Sequence, residues 1–228
     1  MRVKKSLLTA TVVGLLIVGS AAPAFAGTAD TGAVTMMVRV NGQEVPFDSS
    51  FPTQPLHLHG TPPIQSTGPH TNLINFDQWY GCYTLNHDDD IFATFYTPSQ
   101  NEQPGREINL RCGNSSYGYK HIESGKKADW QAKFDGAVNA GWIPQSQGMQ
   151  SWDDLMAVAA GDAISYPNFS TVNQFNQTTC AVVNVDFYKE GVGLVYTFNA
   201  RAAYSNTNDR LITAFPQSST ICPPGLGD

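Results

Sequence analysis

Residues 106–130 read Arg-Glu-Ile-Asn-Leu-Arg-Cys-Gly-Asn-Ser-Ser-Tyr-Gly-Tyr-Lys-His-Ile-Glu-Ser-Gly-Lys-Lys-Ala-Asp-Trp. The segment joins a short strand-like run, Ile108 to Cys112, to a basic region that contains His121. Between Arg106 and Lys133 there are six Lys or Arg residues and three acidic residues, which gives a net charge of +3. This excess favours contact with a negatively charged group, and a solvated helix start of mixed charge is the alternative interpretation.

The first 26 residues have the pattern of a secretory signal peptide. Three basic residues precede an apolar run from Leu7 to Val18, and Ala24-Phe25-Ala26 matches a cleavage site with small residues. We therefore expect a secreted, extracellular protein whose mature chain begins near Gly27. Losing three positive charges would change the formal net charge from −6 to −9. Such acidity argues against a general nucleic-acid binder, and no later window has the roughly 18 apolar residues of a membrane span.

The four cysteines all follow residue 26, and an even number in an oxidising compartment predicts two disulfide bonds. Three pairings are possible. We favour Cys82 with Cys112 and Cys180 with Cys222, because each pair links neighbouring segments. The absence of a C-x-x-C pair argues against a zinc site.

Residues 27–104 are predicted to form a β-rich N-terminal region. Val34 to Val40 is a strand-like run, and the Asn41-Gly42 turn signal after it predicts a hairpin that returns through Glu44 to Phe47. A proline-rich loop, 49–71, follows.

Histidines in this loop raise the possibility of a metal site. His57 and His59 would point to the same side of an extended segment, with His70 further along. No third ligand is identifiable, so we predict no metal site and interpret them as surface histidines.

A second hairpin is predicted from Gln78 to Leu85 and Ile91 to Thr97, because both runs are rich in aromatic and β-branched residues. Asp88 to Asp90 lies between them as a polar turn, without the ligand spacing of a calcium loop. Polar residues, proline and glycine from Thr97 to Gly105 then predict a module boundary.

The rest of the chain predicts two helices followed by three strands. The first helix ends at Gly141 and is predicted by apolar residues at helical spacing, Trp130, Phe134, Ala137 and Val138. The second begins at Ser151, with Asp154 in an imperfect capping box, and ends at Gly161. The strands are predicted to form an antiparallel meander and are Cys180 to Tyr188, Leu194 to Ala203 and Leu211 to Phe215.

These elements predict an α+β fold. A β-rich N-terminal region precedes a domain, 105–216, in which two helices pack on a mostly antiparallel β-sheet. A C-terminal tail, 217–228, carries the last cysteine.

Three short motifs in this domain resemble those of a known superfamily. They are Leu-Arg-Cys-Gly at 110–113, Gly-Tyr-Lys-His-Ile at 118–122 and Ile-Thr-Ala-Phe-Pro at 212–216. Their order resembles the toxin-type nuclease domains grouped with barnase, EndoU and the colicin-type ribonucleases. The resemblance covers about Ile108 to Pro216 and implies a barnase/EndoU-like fold.

The resemblance implies a set of site residues. His121 would be the central acid/base residue, with Lys126 where relatives often have a second histidine. Arg201 or Arg210 would be the basic residue of the meander, and Thr213 a polar contact on the last strand. The Lys126 position departs from the pattern, because lysine is a poor proton donor near neutral pH.

The implied activity is cleavage of RNA by a secreted, toxin-like endoribonuclease that needs no metal or other cofactor. Histidine would move protons and Lys or Arg would stabilise the phosphate charge. Tyr119, Lys120 and Arg210 would bind the substrate, and Glu123 would assist His121 if this segment were extended.

The expected partners are RNA and a small inhibitor protein of the immunity type, and we expect a monomer. No G-x-S-x-G, H-E-x-x-H, P-loop or dinucleotide motif is present. The alternative is a secreted, disulfide-stabilised binding or structural protein with an inactive nuclease-like fold. Convergence of His121, Lys126 and Arg201 or Arg210 in an open cleft would favour the enzyme, and divergence would favour binding.

Overall fold

The computed structural model describes residues 32–40, 42–47, 73–74, 76–99 and 104–223. The predicted signal peptide and the three loop histidines, His57, His59 and His70, lie outside these ranges. Within them the chain is a mixed α+β protein with a mostly antiparallel sheet. The elements in chain order are β1 (Val34–Val40), β2 (Gln43–Pro46), α1 (Phe76–Tyr83), β3 (Ile91–Tyr96), β4 (Glu107–Arg111), α2 (Gly118–Asn139), α3 (Trp152–Ser165), β5 (Phe169–Asn173), β6 (Thr178–Lys189), β7 (Gly193–Ser205) and β8 (Leu211–Gln217).

The larger sheet has the strand order β2-β1-β6-β7-β8, and β5 also pairs with β6. Every pairing in it is antiparallel, which confirms both the N-terminal hairpin and the three-strand meander. Strands β6 and β7 are long. Their side chains alternate between the sheet face that packs on the helices and the opposite face of the sheet.

The predicted hairpin of Gln78 to Leu85 with Ile91 to Thr97 is wrong. The first run forms helix α1, whereas β3 pairs with β4 in a separate two-stranded sheet. The helix brings aromatic residues three and four positions apart into stacked pairs, which a strand would not do; these residues are Phe76, Trp79, Tyr80 and Tyr83.

Helices α2 and α3 confirm the two predicted helices with shifted ends. Helix α2 already begins at Gly118, and the indole N–H of Trp130 donates to the Ala214 carbonyl of β8 at 3.0 Å. Helix α3 has the predicted capping box at Ser151 but continues past Gly161 to Ser165. It continues because the residues after Gly161 remain in the core, where helical hydrogen bonds satisfy the buried backbone.

Strands from both sides of the predicted boundary at Thr97 to Gly105 share one core. Val34 and Met36 of β1 pack in the same cluster as Phe187 of β6, and the described residues from Gly32 onward form one compact unit. The two predicted disulfides are confirmed, Cys82 with Cys112 and Cys180 with Cys222. In the ranges that the structure describes, no helix is both long and apolar enough to cross a bilayer.

Candidate functional site

The glycines of the Leu-Arg-Cys-Gly and Gly-Tyr-Lys-His-Ile motifs shape the turn that starts α2. Gly113 has a φ angle of 68° and Gly118 one of 78°, in the left-handed region that favours glycine. A Cβ atom on Gly113 would lie 2.0 Å from the Tyr117 carbonyl oxygen, so the two ends of the turn approach too closely for a side chain. The turn therefore fixes where the following helix begins and which way His121 points.

His121 lies in the first turn of α2 and is partly exposed. Its Nδ1 atom is 2.9 Å from the Ser115 carbonyl oxygen. Because a carbonyl only accepts hydrogen bonds, this contact places the proton of the neutral ring on Nδ1 and the lone pair on Nε2.

Lys126 is on a different side of the same helix from His121. Five residues at 3.6 residues per turn project about 140° apart. Lys126 shares its side with the buried Trp130, four residues further on, whereas His121 does not. The structure therefore does not bring these two predicted catalytic residues together.

Glu123 does not assist His121 as the extended conformation would have allowed. The segment is helical, and residues two apart on a helix point to nearly opposite sides. Glu123 instead accepts a hydrogen bond from the Tyr83 hydroxyl and one from Lys127 Nζ at 3.2 Å.

Lys126 and Arg201 converge on the ring of Phe215. Lys126 Nζ lies 4.5 Å from the ring centroid, and Arg201 Cζ lies 5.1 Å from it. Arg201 and Phe215 are register partners across β7 and β8, and Thr213 precedes Phe215 by two residues on the same strand face. We call Lys126, Arg201, Thr213 and Phe215 the Lys126–Arg201 cluster.

The cluster has a buried floor and a more open rim. Arg201 is 4% exposed and Thr213 is 2% exposed, whereas Lys126 and Phe215 are partly exposed. The Thr213 hydroxyl oxygen is buried and has no hydrogen-bond partner in the described part of the chain. A buried hydroxyl without a partner costs about 1 to 3 kcal/mol, which a ligand oxygen or nitrogen would offset.

Tyr119 belongs to the core and not to an open surface. Its ring packs against Phe92 and Trp152 with centroids 5.6 and 5.9 Å apart, and its hydroxyl donates to Asp153 at 3.3 Å. Burial, with the nearby carboxylate of Asp153, raises the pKa of the Tyr119 hydroxyl. The ring is therefore not available to stack on a nucleobase.

Lys120 and Arg210 contact acidic residues from the turn before β3. Lys120 Nζ is 3.1 Å from Asp88, and Arg210 is 3.8 Å from Asp89 while it lies 4.4 Å from the Tyr117 ring centroid. These contacts neutralise much of the local positive charge.

The third cation of this region, Arg111, is neutralised in the same way. It contacts Asp209 at 2.7 Å, and this hydrogen bond lowers the pKa of that carboxyl. The +3 count of the sequence segment therefore overstates the charge that a ligand would meet.

Phe215 is the member of the cluster that sequence reasoning missed. It stands in the Ile-Thr-Ala-Phe-Pro motif two residues after Thr213, so strand alternation already places both side chains on one face. Its contact with Lys126 depends on how α2 packs beside β8, which no local pattern reveals. In the ranges covered by the structure, no group of three or more His, Cys, Asp or Glu side chains is arranged to hold a metal ion.

The chain is similar to two uncharacterized proteins of Mycobacterium tuberculosis, one from each of two strains, at 30% identity over 146 residues. The alignment covers 62% of this chain and 50% of each relative, so the chain spans about half the length of the curated relatives it matches. No family model and no solved structure matches the chain.

Proposed function

We propose that this chain is an exported, disulfide-stabilised binding protein that holds a phosphate-bearing ligand in the Lys126–Arg201 cluster. One observation carries the proposal. An ammonium and a guanidinium lie over the same phenylalanine ring, and on the same strand face lies a buried threonine hydroxyl that has no partner among the residues the structure describes.

The chemistry of the cluster suits a phosphate. The Arg201 guanidinium and the Lys126 ammonium place two positive charges beside one ring, from two different elements. The Thr213 hydroxyl adds a neutral donor on the same strand face. Single-stranded RNA exposes its phosphates, so RNA is the first ligand that we propose to test.

Binding fits the geometry better than cleavage. Cleavage without a metal needs one group to remove a proton and another to supply one at the reacting phosphate. The cluster contains a lysine, an arginine and a threonine, and His121 projects about 140° away from Lys126 around the helix. On this proposal, the resemblance to toxin-type nucleases would extend to the short motifs and not to an acid/base pair of His121 and Lys126.

Cleavage of RNA by a toxin-like enzyme is the second candidate, and one observation favours it. The hydrogen bond from His121 Nδ1 to Ser115 leaves the Nε2 lone pair free to accept a proton, which is the state a general base requires. In that case the small inhibitor protein would remain an expected partner.

The test combines binding and cleavage in one sample. The oxidised protein is titrated into a fluorescein-labelled single-stranded RNA oligonucleotide in EDTA, anisotropy is recorded, and the same sample is run on a denaturing gel. Lys126→Ala should raise the Kd at least about tenfold, equivalent to about 1.4 kcal/mol, and reduce the salt dependence of binding. Lys133→Ala is the matched control, because Lys133 lies on the same helix over another ring, Phe198, at 6.0 Å.

The outcomes separate the two candidates. Intact RNA with tight binding by the parent and loss of affinity only in Lys126→Ala would support binding. RNA cleavage by the parent that disappears in His121→Ala, with an unchanged melting temperature, would establish the enzyme instead. No binding of RNA or of inorganic phosphate by the parent would contradict the proposal.

A further inference from the structure

Helix α1 turns its aromatic residues toward solvent. Phe76 is 74% exposed, Trp79 47% and Tyr80 45%. Their rings form a stacked group, with the centroid of Phe76 6.3 Å from those of both Trp79 and Tyr80. We call these three residues the α1 aromatic face.

The same helix is anchored through its smallest residues. Gly81 and Cys82 are the buried residues of α1, and Cys82 is bonded to Cys112. A Cβ atom on Gly81 would come within 2.8 Å of an Asp90 side-chain oxygen, so the helix lies tightly against the acidic turn. An ordinary amphipathic helix buries its apolar residues, whereas α1 exposes Phe76, Trp79 and Tyr80. Exposed aromatic groups of this kind mark interaction surfaces.

The charge around this surface is negative. Residues 73–99 contain four aspartates and no lysine or arginine, and because Asp88 and Asp89 are paired with cations from other segments, Asp77 and Asp90 carry the negative charge near α1. Asp77 lies in the first turn of α1, is exposed, and makes no ion pair with any residue that the structure describes. Asp90, at the other end, approaches only His87, at 3.6 Å, among the described ion pairs.

We infer that the α1 aromatic face is a docking surface for a lysine- or arginine-rich segment of a partner protein. The faces of aromatic rings attract cations, and tryptophan does so best. The neighbouring carboxylates attract the same charges, so the rings and the acids favour one kind of occupant. A nucleic acid or an anionic lipid surface would meet repulsion from Asp77 and Asp90, and Lys120, the cation beside Tyr83 of α1, is already paired with Asp88.

Trp79 provides a specific reporter for this contact. The protein has four tryptophans, and the other three, Trp130, Trp142 and Trp152, are buried. Acrylamide should therefore quench mainly the fluorescence of Trp79. The full oxidised chain is titrated with a nine-residue oligo-arginine peptide, and a nine-residue oligo-glutamate peptide serves as the charge control.

We expect a saturable change in fluorescence and protection from acrylamide with oligo-arginine, and neither effect with oligo-glutamate. The double variant Phe76→Ala/Tyr80→Ala and the variant Asp77→Asn should each raise the Kd at least about fivefold, and added salt should weaken binding. Phe175→Ala is the matched control, since Phe175 is a fully exposed aromatic residue in a turn far along the chain, and it should change the Kd less than twofold. Trp79→Phe should abolish the signal.

Several results would overturn the inference. They are no fluorescence change with oligo-arginine, equal binding of oligo-glutamate, equal weakening by Phe175→Ala, or a Trp79 response to RNA or to phosphatidylserine vesicles in place of the peptide. Lys126→Ala should leave the peptide affinity unchanged, so failure of the phosphate-binding proposal and failure of this one are distinguishable.

Discussion

Helices α1 and α3 differ in which of their side chains are buried. Every residue of α3 is buried, because the helix contacts α2, β1, β3, β6, β7 and β8. Alanines let these neighbours approach closely, and Leu155 and Met156 fill the space between them. Helix α1 fully buries only its glycine and cysteine, leaves Phe76, Trp79 and Tyr80 exposed, and packs Tyr83 partly against the core. The difference shows that the number of neighbours around a helix, and not the size of its apolar side chains, determines what it buries.

The largest expected effect tests this contrast directly. Leu155→Ala in α3 should lower the free energy of unfolding by about 2 to 5 kcal/mol, because it leaves a cavity among fully buried residues. Phe76→Ala in α1 removes a larger side chain but should change the free energy of unfolding by less than about 0.5 kcal/mol, because the ring is exposed. Urea denaturation followed by circular dichroism gives both values. Comparable losses in the two variants would contradict the contrast.

The disulfide of α1 provides the next test. The double variant Cys82→Ser/Cys112→Ser should lose about 2 to 4 kcal/mol of stability and should expose the α1 amides to rapid hydrogen exchange, because little else of α1 is buried. Cys180→Ser/Cys222→Ser should lower global stability without this local opening. Exchange of α1 amides at the rate of the α3 amides in the first variant would show that other contacts hold α1.

Helix α3 contains a buried carboxyl group, that of Asp162. Asp162 is fully buried and accepts the backbone N–H of Arg39 at 3.1 and 3.2 Å. Burial raises its pKa from 3.8 to about 8, with this hydrogen bond and the Arg39 charge opposing the shift. The folded protein therefore keeps a proton that the unfolded chain releases.

Stability should consequently fall as the pH rises from about 4 to about 8, with a slope of at most about 1.4 kcal/mol per pH unit from this group. Asp162→Asn removes the titration and should flatten this part of the profile. Urea midpoints measured between pH 5 and 8 for parent and variant provide the comparison. Parallel profiles would mean that Asp162 does not carry the effect.

The smallest expected effect concerns the buried Thr213 hydroxyl of the Lys126–Arg201 cluster. Thr213→Val should raise stability by about 1 kcal/mol, because the hydroxyl has no hydrogen-bond partner among the described residues, and should weaken phosphate binding. Thr179→Val is the control, since the Thr179 hydroxyl donates to Asn206 at 2.7 Å and its removal should destabilise. Thermal melts with and without inorganic phosphate measure both effects. A Thr213→Val variant that is less stable than the parent would show that the hydroxyl is already satisfied.

The long strands could be predicted because a strand is indicated by a pattern within one short segment. The disulfides could be predicted because few cysteine pairings are possible. Cys180 to Tyr188 is rich in β-branched and aromatic residues and alternates between apolar and polar residues from Val183 to Phe187, which favours a strand, and four cysteines leave few pairings. Helix α1 was missed because aromatic residues suit strands as well as helices, so only their spacing distinguished the two.

The candidate site was predicted only in part, for a geometric reason. Lys126, Arg201 and Thr213 meet because α2 lies beside β8, a packing contact between residues far apart in sequence. His121 and Lys126 lie on different sides of α2 because the helix already begins at Gly118. If α2 began a few residues later, different residues would share a side of the helix. The acidic partners of Lys120 and Arg210 come from a different segment, so local charge counts could not include them.

The pairing of β1 with β6 has a consequence for synthesis. Val34 pairs with Lys189, 155 positions later, so at about 5 to 20 residues per second β1 waits roughly 8 to 30 s for its partner. Until β6 has been made, the edge of β1 that pairs with it in the folded protein has no strand partner, whereas β2 follows β1 directly in the chain. Arg39, a charged residue within β1, discourages pairing of the open edge with other chains while the rest of the protein is being made.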